Sequence, residues 1–329
     1  MKSKIFKRSL ISLLLVFLLF CLLMITPRTI GYIFPEKPPV GYHFEALNYL
    51  AVGVGLEKLI DRQPQIPETI EEIENVEYKN VNGKSLQIDF YKPKNAREPL
   101  PLLLFFHGGG WKGGKRSDYM LYLVSFAEKG YMTGSVSYRL KRDSIYPACV
   151  EDVSDAVEWV LKNGEDFGYD PNQVALIGGS AGAHLSMLAA YGWRDSRSQI
   201  DSIANNNQIK AVVDIYGPVD LTDDYAQTQS LVTGFIGHSY SQKPELYKEA
   251  SPITYLSKNA PPTMILHGTS DKLVPISQSD TLKSRLDRLG VPCEYYKLPL
   301  WPHTMDIAIR VNNFSQKKME EFFEKYLLR

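Results

Sequence analysis

The hydrophobic pattern divides the chain into two unequal parts. Positions 10–25 are apolar apart from Ser12, and Lys2, Lys4, Lys7 and Arg8 precede them. A helix that crosses a bilayer needs about 17–25 apolar residues, so the run is borderline in length. A secretory signal also has a basic start, but it ends in a small-residue cleavage site. Here Thr26-Pro27-Arg28-Thr29 follows without an A-x-A-like site, and Ile30, Tyr32, Ile33 and Phe34 keep the segment apolar or interfacial. The pattern predicts an uncleaved anchor within residues 1–34, with a cleaved signal as the alternative. Either reading exports the rest of the chain, and the basic cluster before the span keeps the N-terminus in the cytoplasm. A stiff exit with three prolines occupies 35–40. A helix is predicted over 43–60, with Phe44, Leu47, Leu50, Val54 and Leu59 near one face. It packs on the following domain or lies at the membrane surface. A second proline-bearing break covers 63–67, so 35–73 reads as a linker containing a helix.

From residue 74 to 329 the periodicity alternates between strand and helix, as one domain. Strands are predicted over 76–78 and 86–91, around a turn at Asn82-Gly83. The unbroken apolar run 102–106 reads as a strand covered on both faces. Helices are expected over 119–129, 147–162, 181–190 and 276–289, and most of the tail from Met305 is helical. Further strands are expected over 131–137, 174–177, 211–216, 264–267 and 294–298. Such alternation predicts an α/β fold: a mainly parallel central sheet with helices on both faces. A polar loop is expected over 193–207, and an excursion between strands over 218–259.

Composition narrows the function. Lys+Arg and Asp+Glu are both 37, which excludes the basic excess of a nucleic-acid binder. At 44% hydrophobic and 22% charged, a core of ordinary size can be buried. Cys21, Cys149 and Cys293 fit neither a metal site nor a disulfide framework, leaving a single Cys149–Cys293 bridge as the one pairing to consider. No metal or organic cofactor is implied.

The chemistry sits in three motifs. Gly178-Gly-Ser180-Ala-Gly182 follows an apolar strand and precedes an alanine-rich helix. That is the setting of a nucleophile elbow, G-x-S-x-G, in which a sharp turn projects the serine hydroxyl from the end of a sheet. His107-Gly-Gly-Gly-Trp111 directly follows the 102–106 strand. Its glycines let main-chain N–H groups approach a substrate oxygen, and it lacks the G-K-[ST] of a phosphate loop. A serine nucleophile needs an imidazole as base and a carboxylate to orient it, and after an elbow the order is Ser, Asp or Glu, His. Of the six histidines, 43, 107, 184, 238, 267 and 303, His303 alone lies after the last predicted strand. Asp271, just past the 264–267 strand, is the expected acid, with Asp306 as its rival. His107, His184 and His267 read as structural.

Taken together, His107-Gly-Gly-Gly-Trp111, Ser137-Tyr-Arg-Leu140, Gly178-Gly-Ser-Ala-Gly-Ala-His184, His267-Gly-Thr-Ser-Asp271 and the late His303 resemble the hormone-sensitive-lipase-like, BD-FAE-like carboxylesterases of the α/β-hydrolase superfamily. The resemblance runs from about residue 74 to the C-terminus. It implies ester hydrolysis by a triad of Ser180, Asp271 and His303, with the N–H groups of Gly109, Gly110 and Ala181 as oxyanion donors. Two positions depart from the family: Pro302 stands where glycine often precedes the catalytic histidine, and Tyr138-Arg-Leu-Lys-Arg142 replaces the usual Tyr-Arg-Leu-Ala-Pro. The implied partner is a small-molecule ester. Amide or peptide hydrolysis on the same triad is the second reading, and a membrane-tethered, non-catalytic binding protein the third.

Overall fold

The computed structural model describes residues 2–193 and 208–328, so all of the predicted polar loop except Trp193 lies outside the described residues. Eight strands form one sheet: β1 (Ile70–Val81), β2 (Lys84–Pro93), β3 (Leu100–Phe106), β4 (Met132–Val136), β5 (Tyr169–Gly179), β6 (Ile209–Ile215), β7 (Thr263–Gly268) and β8 (Cys293–Leu298). Their order is β1-β2-β4-β3-β5-β6-β7-β8. The β1–β2 and β2–β4 pairs are antiparallel, and all the others are parallel. The helices are α1 (Lys2–Ile33), α2 (Glu45–Gly53), α3 (Met120–Glu128), α4 (Ala148–Lys162), α5 (Gly164–Phe167), α6 (Ala181–Tyr191), α7 (Asp224–Thr228), α8 (Ser230–Ile236), α9 (Pro244–Glu249), α10 (Ser277–Leu289) and α11 (Ile309–Tyr326).

The unbroken apolar strands are explained by cover on both faces of the sheet. Leu102, Leu104 and Phe106 of β3 join Val153, Val157, Leu185 and Leu282 of α4, α6 and α10 on one face. Leu103 and Phe105 join Leu123, Phe126, Val311 and Phe323 of α3 and α11 on the other. Since β3 lies between β4 and β5, the loops leaving β3 and β5 diverge over a crevice at the strands' C-terminal ends. Open α/β sheets bind ligands in such crevices. The Tyr138-Arg139 motif braces this end. Fully buried Asp152 of α4 accepts from Arg139 Nε at 2.8 Å and Lys79 Nζ at 2.7 Å.

Several expectations need correction. The helix predicted over 43–60 ends at Gly53, because Gly55 turns the chain at φ +75° and Glu57 N–H bonds back to Ala51 O at 2.9 Å. Its inward residues are Asn48 and Ala51, so Phe44, Leu50, Val54 and Leu59 remain exposed. The sheet begins at Ile70, ahead of the boundary expected at residue 74. The preceding segment, expected as a linker containing a helix, is tied to the domain. Gly41 N–H bonds to Pro299 O at 2.8 Å, Ile60 N–H to Ile307 O at 2.9 Å, and Ile309 N–H to Lys58 O at 2.9 Å. Buried Glu57 pairs with Arg310 at 2.6 Å. This strap lies along the loop that carries His303. Cys21, Cys149 and Cys293 are free thiols, so the Cys149–Cys293 bridge does not form. The excursion between β6 and β7 is helical, carrying α7, α8 and α9.

Candidate active site

Ser180 stands between β5 and α6 with φ 54° and ψ −121°, a conformation costing a non-glycine residue about 1–3 kcal/mol. The elbow is so tight that its glycines are sterically required. A Cβ on Gly182 would lie 2.0 Å from Phe106 O, and one on Gly178 would lie 2.3 Å from Gly182 C. The close packing turns the Ser180 hydroxyl toward the crevice. There it donates to His303 Nε2 at 3.0 Å, and His303 Nδ1 donates to Asp271 Oδ2 at 2.6 Å.

Two neighbouring loops place the imidazole and the carboxylate. After β7 and β8 the chain pairs with itself: Thr269 N–H bonds to Leu298 O at 2.9 Å, Ser270 N–H to Trp301 O at 3.0 Å, and Leu300 N–H to Thr269 Oγ1 at 2.8 Å. From the outside the strap closes on the same loop. Trp301 Nε1 donates to Pro39 O at 2.9 Å, and Gly41 approaches so closely that a Cβ would sit 2.8 Å from Leu300 O. Pro302 before His303 therefore does not displace the ring.

Asp271 is anchored by more than the histidine. Its Oδ1 accepts the N–H groups of Leu273 and Val274, both at 2.9 Å, and His267 Nε2 lies 3.2 Å from its Oδ2. Burial pushes this carboxyl upward, but the hydrogen bonds from His267 and His303 and their charges prevail and hold it at about 2. The rival, Asp306, is engaged elsewhere: it accepts the Tyr216 hydroxyl, and burial raises its pKa.

The glycine loop lies opposite the elbow. A Cβ on Gly108 would be 3.6 Å from Ser180 Cβ, and Gly109 and Gly110 take φ of 113° and 60°. The Gly109 carbonyl turns back to accept Gly113 N–H at 3.1 Å. The N–H groups of Gly109, Gly110 and Ala181 donate to no carbonyl among the described residues, and Ala181 opens α6, where first-turn N–H groups have no helical partner. His107 braces this loop as expected. Its Nδ1 donates to Gly108 O at 2.9 Å, its ring stacks on Tyr138, and Tyr138 donates to His107 O at 2.6 Å. His184 is buried beneath the site, donating from Nε2 to Ala250 O at 2.7 Å and accepting Trp111 Nε1–H at 3.3 Å. Burial lowers its pKa to about 4, so it stays neutral at pH 7.

Ser180 and His303 open into a cavity of about 420 Å³, lined also by Gly108–Gly110, Ile60, Arg62, Tyr216, Leu231 and Leu273. Some of these escaped the sequence reading. Tyr216, at φ 49°, lies against the His303 ring with centroids 4.6 Å apart. Its place at the C-terminal end of β6 was the available signal. Leu231 comes from the excursion, and Ile60 and Arg62 from the strap; nothing local marks them. No group of His, Cys, Asp and Glu among the described residues is arranged to hold a metal ion.

Comparison with known proteins gives the family and the fold. The chain is 34% identical to esterase LipQ of Mycobacterium tuberculosis over 65% of its length and 52% of that protein's. It is 31% identical to esterase LipC of the same organism, over 67% of its length and 57% of that protein's. It thus spans about half the length of these curated relatives. Propionate-bound esterase 2 of Thermogutta terrifontis superposes with a TM-score of 0.67 at 23% identity, covering 81% of this chain and 97% of that one. The likeness shows a shared α/β-hydrolase fold. The BD-FAE family model matches residues 88–286, which span the glycine loop, the elbow and Asp271, and the chain belongs to that family.

Proposed function

We propose that the protein is a serine carboxylesterase that hydrolyses small acyl esters through an acyl-enzyme. The observation that carries this reading is the continuous hydrogen-bonded line from Ser180 Oγ through His303 to Asp271, beside a glycine loop whose Gly109 and Gly110 N–H groups donate to no carbonyl among the described residues. Ser180 Oγ attacks the acyl carbonyl while its proton passes to His303 Nε2. The carbonyl π pair moves onto oxygen, where the N–H groups of Gly109, Gly110 and Ala181 receive it. Such donors contribute about 3–4 kcal/mol each to the transition state. Collapse of this intermediate breaks the bond to the alcohol, which leaves with the proton from His303. Water then adds to the acyl-serine with His303 as base, and a second collapse frees the acid and restores Ser180. Asp271 keeps the Nδ1 proton in place and stabilises the imidazolium. The esterase names of LipQ and LipC, and the propionate bound to esterase 2, favour esters with small acyl groups.

In the same reading α1 anchors the enzyme. Leu10–Ile33 is one helix long and apolar enough to span a bilayer. The basic start then lies in the cytoplasm and the catalytic domain outside. Ser180→Ala is expected to abolish hydrolysis of nitrophenyl acetate and labelling by a serine-directed phosphonate. Full activity in that variant sinks the reading.

A further inference from the structure

The strap that braces His303 begins with α2, whose outer surface is unlike that of a helix facing water. Between Glu45 and Glu57 no residue is charged. Both bracketing carboxylates are engaged, Glu45 with Lys272 at 2.9 Å and Glu57 with Arg310 at 2.6 Å. The outward positions are large and apolar: Phe44 is 60% exposed, Tyr49 69%, Leu50 39% and Val54 59%. A water-facing helix carries charged and polar residues on its outer side, and a contiguous exposed apolar face marks an interaction surface.

The position of α2 selects the occupant. Its inner face packs on α1, where Met24, Tyr42 and Ala51 form a small core with Leu47 and Leu56. Met24 stands at the end of the apolar run of α1, just before Thr26, Pro27 and Arg28. At 1.5 Å per residue, positions 10–25 cover about 24 Å, short of the roughly 30 Å of bilayer hydrocarbon. Roughly 30 Å from Leu10 reach about Thr29, so a bilayer crossed by α1 takes up the whole run and its outer boundary falls near Thr26–Thr29, within the span Leu10–Ile33 and about one turn past Met24, where α2 packs. Tyrosine and other amphipathic rings favour that boundary.

We infer that α2 is an interfacial helix, with Phe44, Tyr49, Leu50 and Val54 seated in the headgroup–acyl boundary of the membrane, and that it delivers membrane-resident esters to Ser180. This rests on the anchored-esterase reading above. From α2 the chain runs through exposed Leu59 directly to Ile60 and Arg62 in the catalytic pocket, and half-exposed Leu273 stands at the same rim. Leu59, Ile60 and Leu273 thus supply apolar steps, broken by exposed Lys58 and Arg62, and these form the track between α2 and the pocket. The substrate class it suits is a small acyl group on an amphiphilic alcohol: the acyl part enters the cavity while the alcohol stays along the track.

The test uses the full chain reconstituted in phosphatidylcholine–phosphatidylglycerol vesicles. Tyr49→Trp and, separately, Leu18→Trp are both expected to add fluorescence that brominated lipid quenches. Tyr49→Glu combined with Leu50→Glu is expected to lower hydrolysis of vesicle-borne dodecyl acetate about tenfold, leaving soluble nitrophenyl acetate within twofold. Both positions are exposed, so neither substitution disturbs the core. Quenching at position 18 but not at 49 overturns the inference while the anchor stands. Quenching at neither removes the anchor and the inference together. Equal loss on both esters, or protection of position 49 that grows with protein concentration, assigns the face to folding or to a second copy and also overturns it. Failure of the esterase reading is recognised separately, since the quenching result does not depend on Ser180.

Discussion

Replacing Asp271 by asparagine tests the proton relay with little change in shape. Asp271 Oδ1 accepts two main-chain N–H groups, from Leu273 and Val274, at 2.9 Å. An asparagine at this position keeps its carbonyl oxygen there, because the amide NH₂ cannot accept either bond. Its NH₂ must then face His303 Nδ1, where the carboxylate now accepts a proton at 2.6 Å. The imidazole answers by moving its proton to Nε2, which faces Ser180 Oγ, and the serine proton loses its acceptor. A wrong tautomer of this kind costs about 10⁴ in kcat, roughly 5.5 kcal/mol of barrier. Stability falls as well. The carboxyl is held at about 2, below its ordinary 3.8, so its ionised form contributes about 2 kcal/mol above pH 4, lost as pH falls through 2. Asp271→Asn should therefore turn over nitrophenyl acetate about 10⁴-fold more slowly at pH 8, with a native circular dichroism spectrum and a lowered urea midpoint. Asp306→Asn should stay near wild-type activity, since Asp306 bonds to Tyr216. If folded Asp271→Asn keeps activity within tenfold of wild type, the assigned relay is wrong.

Two further outcomes follow from the strap and the core. Trp301→Phe keeps an aromatic ring but removes the buried indole N–H that donates to Pro39 O at 2.9 Å, along with the volume of the five-membered ring, a loss of about 1–2 kcal/mol from the hydrogen bond alone. It should lower Tm and, by loosening the loop two residues before His303, reduce kcat several-fold; an unchanged kcat denies the strap its bracing role. Asp214 is fully buried, with Oδ1 on Gly217 N–H at 2.7 Å and no protein partner for Oδ2 among the described residues. Burial raises its pKa to about 7, so the folded state holds this proton more tightly than the unfolded chain. Its stabilising share is complete below about pH 4 and is lost as pH rises through 7. Urea titrations at pH 5 and pH 8 should show wild type losing about 2 kcal/mol more than Asp214→Asn; parallel losses mean that Asp214 does not titrate in this range.

Much of the candidate site was legible along the chain because its parts are local. The elbow needs Gly178 and Gly182 where a Cβ would strike neighbouring backbone, and the glycine loop that follows β3 has Gly109 and Gly110 at positive φ. The doubly covered strand 102–106 shows as an unbroken apolar run because each face meets its own helices. Such constraints act within a few residues and leave a readable pattern. Asp271 was preferred to Asp306 from its place just past a strand, but its contact with His303 was not in the sequence. Both lie at plausible chain positions, and only the pairing of the loops after β7 and β8 brings Asp271 to His303 while Tyr216 occupies Asp306.

The sequence by itself determined the α/β alternation, the apolar N-terminal run, and the serine, histidine and glycine groups of the site, since each depends on periodicity or on steric limits between near neighbours. The tertiary structure alone decided that residues 35–62 form a strap and that α2 turns Asn48 and Ala51 inward, leaving its large apolar side chains outside. It also decided that Ile60, Arg62, Leu231 and Tyr216 meet around one cavity. These are contacts between segments far apart in the chain. They arise from shape and hydrogen-bond complementarity across the fold, which no local pattern of polar and apolar residues records.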